Sequence, residues 1–456
     1  MSACADPGDL AAPSATALIR QRLQHASISL PRLGARSSGR LRAYDGMLLQ
    51  ASGISAPTGT LCRLTGGDGT TIDAEVIGFR DDNTLLMKLD AEAAVSPDSR
   101  ISVISSDPSV KVGDELLGRV LDGRGRAIDG GLQPVPTETQ PLHARPRNPL
   151  DNLPVSKPLD VGVRSINALL SVGQGQRVGI IAGSGVGKSV LLGMMARFTA
   201  ADVVVIGLIG ERGREVSDFC EQHLRGESAK KTVVVAVPAN HSAVLRIRAA
   251  ERATAIAEHF RDRGKSVLLI LDSLTRVAHA QREIGLALGE PPTTKGYPPS
   301  VFSLIPNLIE RAGNSQSGGS ITAIYTVLAD GGDVEGDPVV DSARAILDGH
   351  LVLSRSLAER GQYPAIDLSK SVSRVMRAIT GKAHNDHAGA LRRSNAVYEE
   401  NADLFTLGAY QPGANPALDD AVKRRELFEA FMRQDAETPV TFEQAQADLA
   451  VAAGPL

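Results

Sequence analysis

Hydrophobic positions change their spacing several times along this chain, and each change predicts a different kind of element. Ala15 to Ala26 has helical spacing, with Leu18, Ile19 and Leu23 on one face and Arg20 and Arg22 away from it. This assigns residues 1–25 to an N-terminal segment carrying a short amphipathic helix, which either caps its own domain or docks a partner; residues 1–13 are small, contain proline and are expected to be disordered. From about Gly39 to Asp90 the period falls to two. Leu61–Leu64 meets a Gly66-Gly67-Asp68-Gly69 turn, Ile72, Ala74 and Val76 alternate with Asp73 and Glu75, and Asp81-Asp82-Asn83 turns into Leu85–Met87. Short strands broken by Gly and Asp turns predict a small antiparallel barrel or sandwich over residues 26–95.

Pro134, Pro136, Pro141, Pro146, Pro149, Pro154 and Pro158 then mark a connector. Beyond it, apolar runs without alternation recur between helical stretches: Arg177–Ile181, Val203–Ile209, Thr232–Val237, Ser266–Leu271, Ile321–Val327 and His350–Leu353. Strands that are apolar on both faces imply a mostly parallel sheet covered by helices, so residues 96–380 are expected to form an α/β domain. From Gly381 to residue 456 the pattern is helical. Asn415-Pro416, with Asp419 and Asp420 in the first turn, predicts a capped helix start, and Thr441 with Gln444 predicts another.

The composition narrows the function classes. The length of 456 residues suggests about three domains. A net charge of −3, with aromatics at 3% and no Trp, argues against a dedicated nucleic-acid binder, which needs a basic surface or stacking platforms. The three cysteines, Cys4, Cys62 and Cys220, have no metal-ligand spacing and read as free thiols, with Cys62 and Cys220 as apolar fillers. There is no continuous apolar region of signal-peptide type near the start and no run approaching the roughly 18 apolar residues of a membrane span, so a cytosolic protein is expected.

The chemistry begins at Gly183-Ser184-Gly185-Val186-Gly187-Lys188-Ser189. A strand over Arg177–Ile181 runs into it and a helix over Val190–Phe198 follows, which is the context that makes a glycine-rich loop a phosphate cradle. Backbone N–H groups would wrap the phosphate oxygens, Lys188 would meet the β- and γ-phosphates, and Ser189 would offer its hydroxyl to Mg²⁺. Ala182 stands where such loops commonly begin with glycine. Val267–Leu271 delivers Asp272 at a strand end, a second acid for the Mg²⁺ shell. Val203–Ile209 ends in Gly210-Glu211-Arg212-Gly213-Arg214-Glu215, so Glu211 is a candidate base for the attacking water, the alternative being a surface loop of mixed charge.

Taken together, Gly183–Ser189, Gly210-Glu211-Arg212 and Asp272-Ser273-Leu274-Thr275-Arg276 resemble the catalytic subunits of rotary ATP synthases. The stretch Gln281-Arg282-Glu283-Ile284 through Gly289-Glu290-Pro291-Pro292-Thr293-Thr294-Lys295-Gly296-Tyr297-Pro298-Pro299-Ser300 is most similar to the type III secretion ATPases, the flagellar export ATPases above all. The resemblance covers the chain from about Gly39 to near its end. It implies a RecA-like central domain, a homohexameric ring with ATP and Mg²⁺ sites between subunits, and Glu211 as the water-activating glutamate. It places Arg212 and Arg276 around the γ-phosphate, and within Ser371-Val372-Ser373-Arg374 it marks Arg374 as an arginine finger acting on the neighbour's ATP. Tyr363 matches the aromatic against the adenine, where a buried loop aromatic is the plainer reading, and Tyr410 is a second candidate for that pocket.

The resemblance also implies partners. These are regulatory and stalk proteins of the export apparatus, export substrates with their chaperones, and an export gate at the inner membrane, to which the cytoplasmic ring would attach peripherally. The loop around Gly289–Pro299 would face the central pore. Within the family, an injectisome ATPase remains the alternative to a flagellar one, with a proton-translocating ATP synthase catalytic subunit ranked below both. A hexameric RNA translocase is disfavoured by charge and aromatic content, and a non-catalytic ring subunit by the presence of Glu211. The acidic loop Asp330–Asp337 has no assigned role.

Overall fold

The computed structural model of the chain describes residues 38–143, 148–328 and 336–454. The amphipathic stretch at 15–26, Cys4 and most of the acidic loop beginning at Asp330 lie outside the described residues.

Six antiparallel strands open the fold: β1 (Ser38–Tyr44), β2 (Leu48–Ser52), β3 (Leu61–Thr65), β4 (Thr71–Arg80), β5 (Asn83–Lys88) and β6 (Arg100–Ser105). They close into a barrel in the order β1-β2-β5-β4-β3-β6. The alternation read along Ile72, Ala74 and Val76 is real, since all three face the barrel core while Asp73 faces outward to Arg63, 2.9 Å away. Cys62 sits in that core, and burial pushes its thiol up to about 11. The barrel does not end at residue 95. Its closing strand, β6, pairs with both β1 and β3. In that strand Val103 and Ile104 are consecutive and break the alternation, and among its residues only Ile101 is fully buried, so its apolar period is weak.

After β7 (Ser109–Val112), β8 (Val120–Leu121) and β9 (Glu138–Pro141) comes the domain that carries the site. Its chain order is α1 (Arg164–Leu169), β10 (Arg177–Ala182), α2 (Lys188–Phe198), β11 (Val203–Ile209), α3 (Gly213–His223), β12 (Thr232–Val237), α4 (Ala243–Asp262) and β13 (Ser266–Asp272). Then follow α5 (Leu274–Leu288), α6 (Pro299–Ile309), β14 (Gly313–Asn314), β15 (Ser320–Leu328), α7 (Pro338–Ile346), β16 (Gly349–Leu353) and β17 (Ile366–Ser373). The strands form a nine-stranded sheet ordered β17-β16-β10-β15-β13-β11-β12-β8, with β14 paired to β15. Pairing is parallel except at β16/β17 and β14/β15. Every residue of β11 and β12 is buried, which is why these strands read as unbroken apolar runs.

The order puts the C-terminal ends of β10, β13 and β11 along one edge of the sheet, where α/β proteins place their ligands. α2 starts at Lys188, two residues before the helix read from periodicity, because the glycine loop itself wraps the helix N-terminus.

Helices α8 (Lys382–Glu400), α9 (Pro416–Met432) and α10 (Phe442–Ala453) complete the fold. The Asn415 side chain accepts from the N–H groups of Ala417 and Leu418, and Thr441 accepts from Gln444, as the caps predict. This helical unit is bonded to the sheet domain by its seams. Asn167 donates to the Val440 carbonyl at 3.0 Å, Arg164 pairs with Asp448 at 2.9 Å, and buried His384 places Nε2 2.7 Å from the Ala168 carbonyl. No helix among the described residues is long and apolar enough to cross a membrane.

Candidate functional site

The turn from β10 to α2 needs left-handed backbone at Gly185 (φ +75°) and Gly187 (φ +84°), which only glycine adopts without strain. A Cβ built on Gly183 or Gly185 meets no protein atom, so the cradle is open on the side a ligand would enter. Val186 turns the other way into the core and anchors the loop. The result is a cavity of about 320 Å³ lined by Gly183, Ser184, Gly185, Gly187, Lys188 and Ser189 from the loop, and by Glu211, Arg212, Glu215 and Arg276 opposite. The loop leads into the start of α2, where unpaired backbone N–H groups and the helix dipole favour an anion.

The charged groups meet at Lys188. Its ammonium donates to Asp272 Oδ1 and lies 3.7 Å from Glu211 Oε1. Asp272 is buried at the end of β13, and its Oδ1 also accepts the Thr326 hydroxyl at 2.6 Å from β15. Glu211 follows β11, and its Oε1 is buried with no hydrogen-bond partner. Burial, and then the negative charge of Asp272, raise its carboxyl to about 7, with Lys188 opposing and Glu215 adding to the rise. A group poised there can hold or release a proton near neutral pH.

Arg276, on α5, packs its stem against Gly210 and leaves Nε buried and unpartnered. The Arg212 side chain is 86% exposed and its guanidinium lies 3.7 Å from the Glu215 carboxylate. Ser189 is exposed beside the cavity. Hard oxygen donors from Ser189 and Asp272 on either side of a phosphate cradle suit a small divalent cation, and the unpaired Glu211 oxygen shows that the polar inventory is incomplete without a ligand.

The other sequence-derived residues fall elsewhere. The Tyr363 ring lies against the loop, 3.1 Å from where a Cβ on Gly187 would stand, and its surface is 45% exposed rather than buried. Tyr410 does not line this cavity: it packs on Phe405 at 5.0 Å and gives its hydroxyl to Asp419 at 2.7 Å, in the first turn of α9. Arg374 is exposed just past β17, and its N–H bonds the Asp348 carbonyl at the start of β16. β10 and β16 are in parallel register, with Asp348 beside Arg177. Arg374 therefore sits at the opposite end of the sheet from the loop, five strand residues or roughly 16 Å from the level of Ala182.

Periodicity and motif spacing did not find Thr326 or Glu215. Glu215 lies in the first turn of α3, and Glu211 precedes that helix, so helical spacing gives no sign that the two meet. Thr326 is one polar residue within an apolar strand and carries no signal of its own.

Comparison with known proteins follows the same division of the chain. Residues 162–373 match the ATP synthase alpha/beta family, nucleotide-binding domain, and residues 380–451 match the T3SS EscN ATPase C-terminal domain. The chain is 49% identical over 416 residues to the flagellum-specific ATP synthase of Pseudomonas aeruginosa, covering 90% of this chain and 92% of that one. It is 51% identical over 410 residues to the flagellum-specific ATP synthase of Salmonella typhimurium, covering 88% and 90%. Against the type 3 secretion system ATPase of Xanthomonas euvesicatoria it is 45% identical over 409 residues, covering 90% and 92%. The solved structure of the assembled ATPase EscN from enteropathogenic E. coli superposes with a TM-score of 0.86 at 40% identity, covering 91% of this chain and all of that one. The structure of EscN with its central stalk EscO gives 0.84 at the same identity and coverage.

Proposed function

Because the chain belongs to the ATP synthase alpha/beta family, and to its type III secretion ATPases, we propose that it hydrolyses Mg-ATP as a homohexamer that energises flagellar protein export. The observation that carries the hydrolytic part is the convergence on Lys188 of Glu211, which lines the glycine cradle with it, and of Asp272, buried behind them.

In this reading the loop amides and Lys188 hold the β- and γ-phosphates, Lys188 exchanging its bond to Asp272 for phosphoryl oxygens. Mg²⁺, when bound, is held by Ser189 and Asp272 and neutralises phosphate charge. Thr326 fixes the Asp272 carboxylate through its hydroxyl. Glu211 accepts a proton from the attacking water, which its raised basicity favours near neutral pH. Arg276 and the exposed Arg212 stabilise charge at the γ-phosphate. Arg374 is too far from its own cradle to take part there, which supports a role as the finger that completes a neighbour's site. Tyr363, on the loop at Gly187, stacks on the adenine.

The wider assembly follows from the relatives. EscN assembles and takes a central stalk, and the same arrangement here would bring the loop between α5 and α6, with Lys295 exposed at its tip, to a stalk protein in the pore. Regulatory proteins, chaperone-bound substrates and the membrane export gate complete the partners. Flagellar relatives at 46–51% identity favour flagellar export. Relatives of the injectisome type at 45% keep that system as the second reading. Export of flagellar subunits in a strain lacking the gene and carrying the Glu211→Gln form tests the assignment. Flagellar export should fail there and return with the natural chain. Normal flagellar export with loss of another type III system's substrates would establish the second reading.

A further inference from the structure

Gln176 stands immediately before β10 and is fully buried, a rare setting for a side-chain amide. Its carbonyl accepts from the Gly173 N–H at 2.9 Å. Its amide nitrogen donates to the Asp348 carbonyl and to the Ser373 hydroxyl oxygen, each at 3.2 Å. Ser373 gives its own hydroxyl hydrogen to the Ser171 carbonyl at 2.8 Å, so toward Gln176 it can only accept. The network therefore fixes which way the amide lies. Turned over, it would set an oxygen against two acceptors and an NH₂ against the Gly173 N–H.

These contacts converge on the segment that carries Arg374. Ser373 is the residue before it, and the Asp348 carbonyl that accepts from Gln176 also accepts from the Arg374 N–H, at 2.9 Å. Gly349, opposite Ser373 across the β16/β17 pairing, lets the backbones close at this point. A Cβ there would stand 2.5 Å from the Val372 carbonyl oxygen and 3.2 Å from the Gln176 amide nitrogen. The Gln176 backbone is itself held, donating to Gly173 at 3.0 Å and accepting from the Ala323 N–H of β15 at 2.9 Å. From Gln176 the chain runs along β10 into the glycine cradle. Exposed Arg374 and its own subunit's cradle are thus both referenced to one buried strand.

We propose that Gln176 is the positioning residue for Arg374, fixing the backbone from which the guanidinium reaches the neighbouring subunit's γ-phosphate. A long exposed side chain meets a distant target in productive geometry only if its base does not shift, and a misplacement of about 1 Å can cost about 10² in rate. The inference rests on the reading of Arg374 as a finger and adds the buried group that aims it.

ATPase kinetics of the full chain test it, with binding of a fluorescent nucleotide measured alongside. Gln176→Met keeps the length and loses both donors. It should lower kcat about 10–10²-fold and leave nucleotide affinity unchanged, because the cradle keeps its own contacts. In an Arg374→Ala background the same substitution should lower the rate no further, since its effect passes through Arg374. A purely structural role would add its loss in both backgrounds, and that result would overturn the proposal. So would a natural rate in Gln176→Met beside a slow Arg374→Ala, which leaves the finger reading standing. A natural rate in Arg374→Ala removes the finger, and the proposal falls with it. Should Gln176→Met fail to fold, Ser373→Ala decides by the same two comparisons. It keeps the buried amide, removes one of its acceptors, and should lower kcat about three- to tenfold in the natural background only.

Discussion

The Glu211 carboxylate stands 3.7 Å from the Lys188 ammonium, yet the oxygen nearest that charge has no hydrogen-bond partner. Lys188 is committed to Asp272 instead. Glu211 thus combines a nearby positive charge with a free acceptor oxygen, which is the arrangement a water-activating base requires.

Glu211→Gln should lower kcat by about 10²–10⁴ while nucleotide binding persists, because the amide keeps the shape and loses the basic oxygen. Single-turnover hydrolysis, measured alongside binding of a fluorescent nucleotide, separates the two effects. Turnover at the natural rate would remove Glu211 from the mechanism.

Arg374 makes a prediction of a different kind, since it lies across the sheet from its own cradle. Lys188→Ala disables the cradle, and Arg374→Ala should cost about 10³–10⁵ in rate if the finger acts on a neighbour. Rings mixed from the two variants contain some interfaces with an intact cradle and an intact finger. Steady-state ATPase assays on mixtures should therefore recover part of the activity. Mixtures no better than the sum of the separate variants would exclude sharing between subunits.

Much of this geometry was legible because it rests on local rules. The glycine loop between an apolar strand and a helix, and Asp272 at the end of Val267–Leu271, announce themselves in a few consecutive residues. Thr326 does not, because its meaning depends on β15 lying beside β13, a neighbour 54 residues away in sequence. β6 was missed for a related reason: its barrel neighbours β1 and β3 leave most of its side chains partly open, so it lacks a clean apolar period. Tyr410 was an aromatic with no local rule to place it, and the Asp419 carboxylate determines where its hydroxyl goes.

Where the barrel meets the sheet domain, Glu75 of β4 pairs with Arg248 of α4, and both are over 90% buried. Removing one partner leaves the other charge buried alone, which costs about 3–5 kcal/mol. Glu75→Ala should accordingly lower the urea midpoint sharply. Glu75→Leu combined with Arg248→Met replaces both charges by apolar groups and should recover most of the loss. A double variant as unstable as the single one would show that the pair contributes more than mutual neutralisation.

His143 gives the same seam a pH dependence. Its Nδ1 lies 3.0 Å from Glu251 Oε1, and Gly59 of the barrel leaves room for its ring. The hydrogen bond to Glu251 raises its pKa first; burial opposes, the charges of Glu251 and Glu75 add to the rise, and Arg248 works against it. A histidine held above its unfolded value contributes stability that is complete below about 6.5 and is lost as pH climbs through the folded value. The side chain is 45% exposed, so solvent screening limits the pair to about 1 kcal/mol or less. Relative to His143→Gln, the natural chain should melt a degree or two higher at pH 6, with the difference shrinking by pH 8. Thermal unfolding of both proteins across that range measures it. A gap that widens toward pH 8 would mean that the neutral ring, rather than the imidazolium, is what the seam holds.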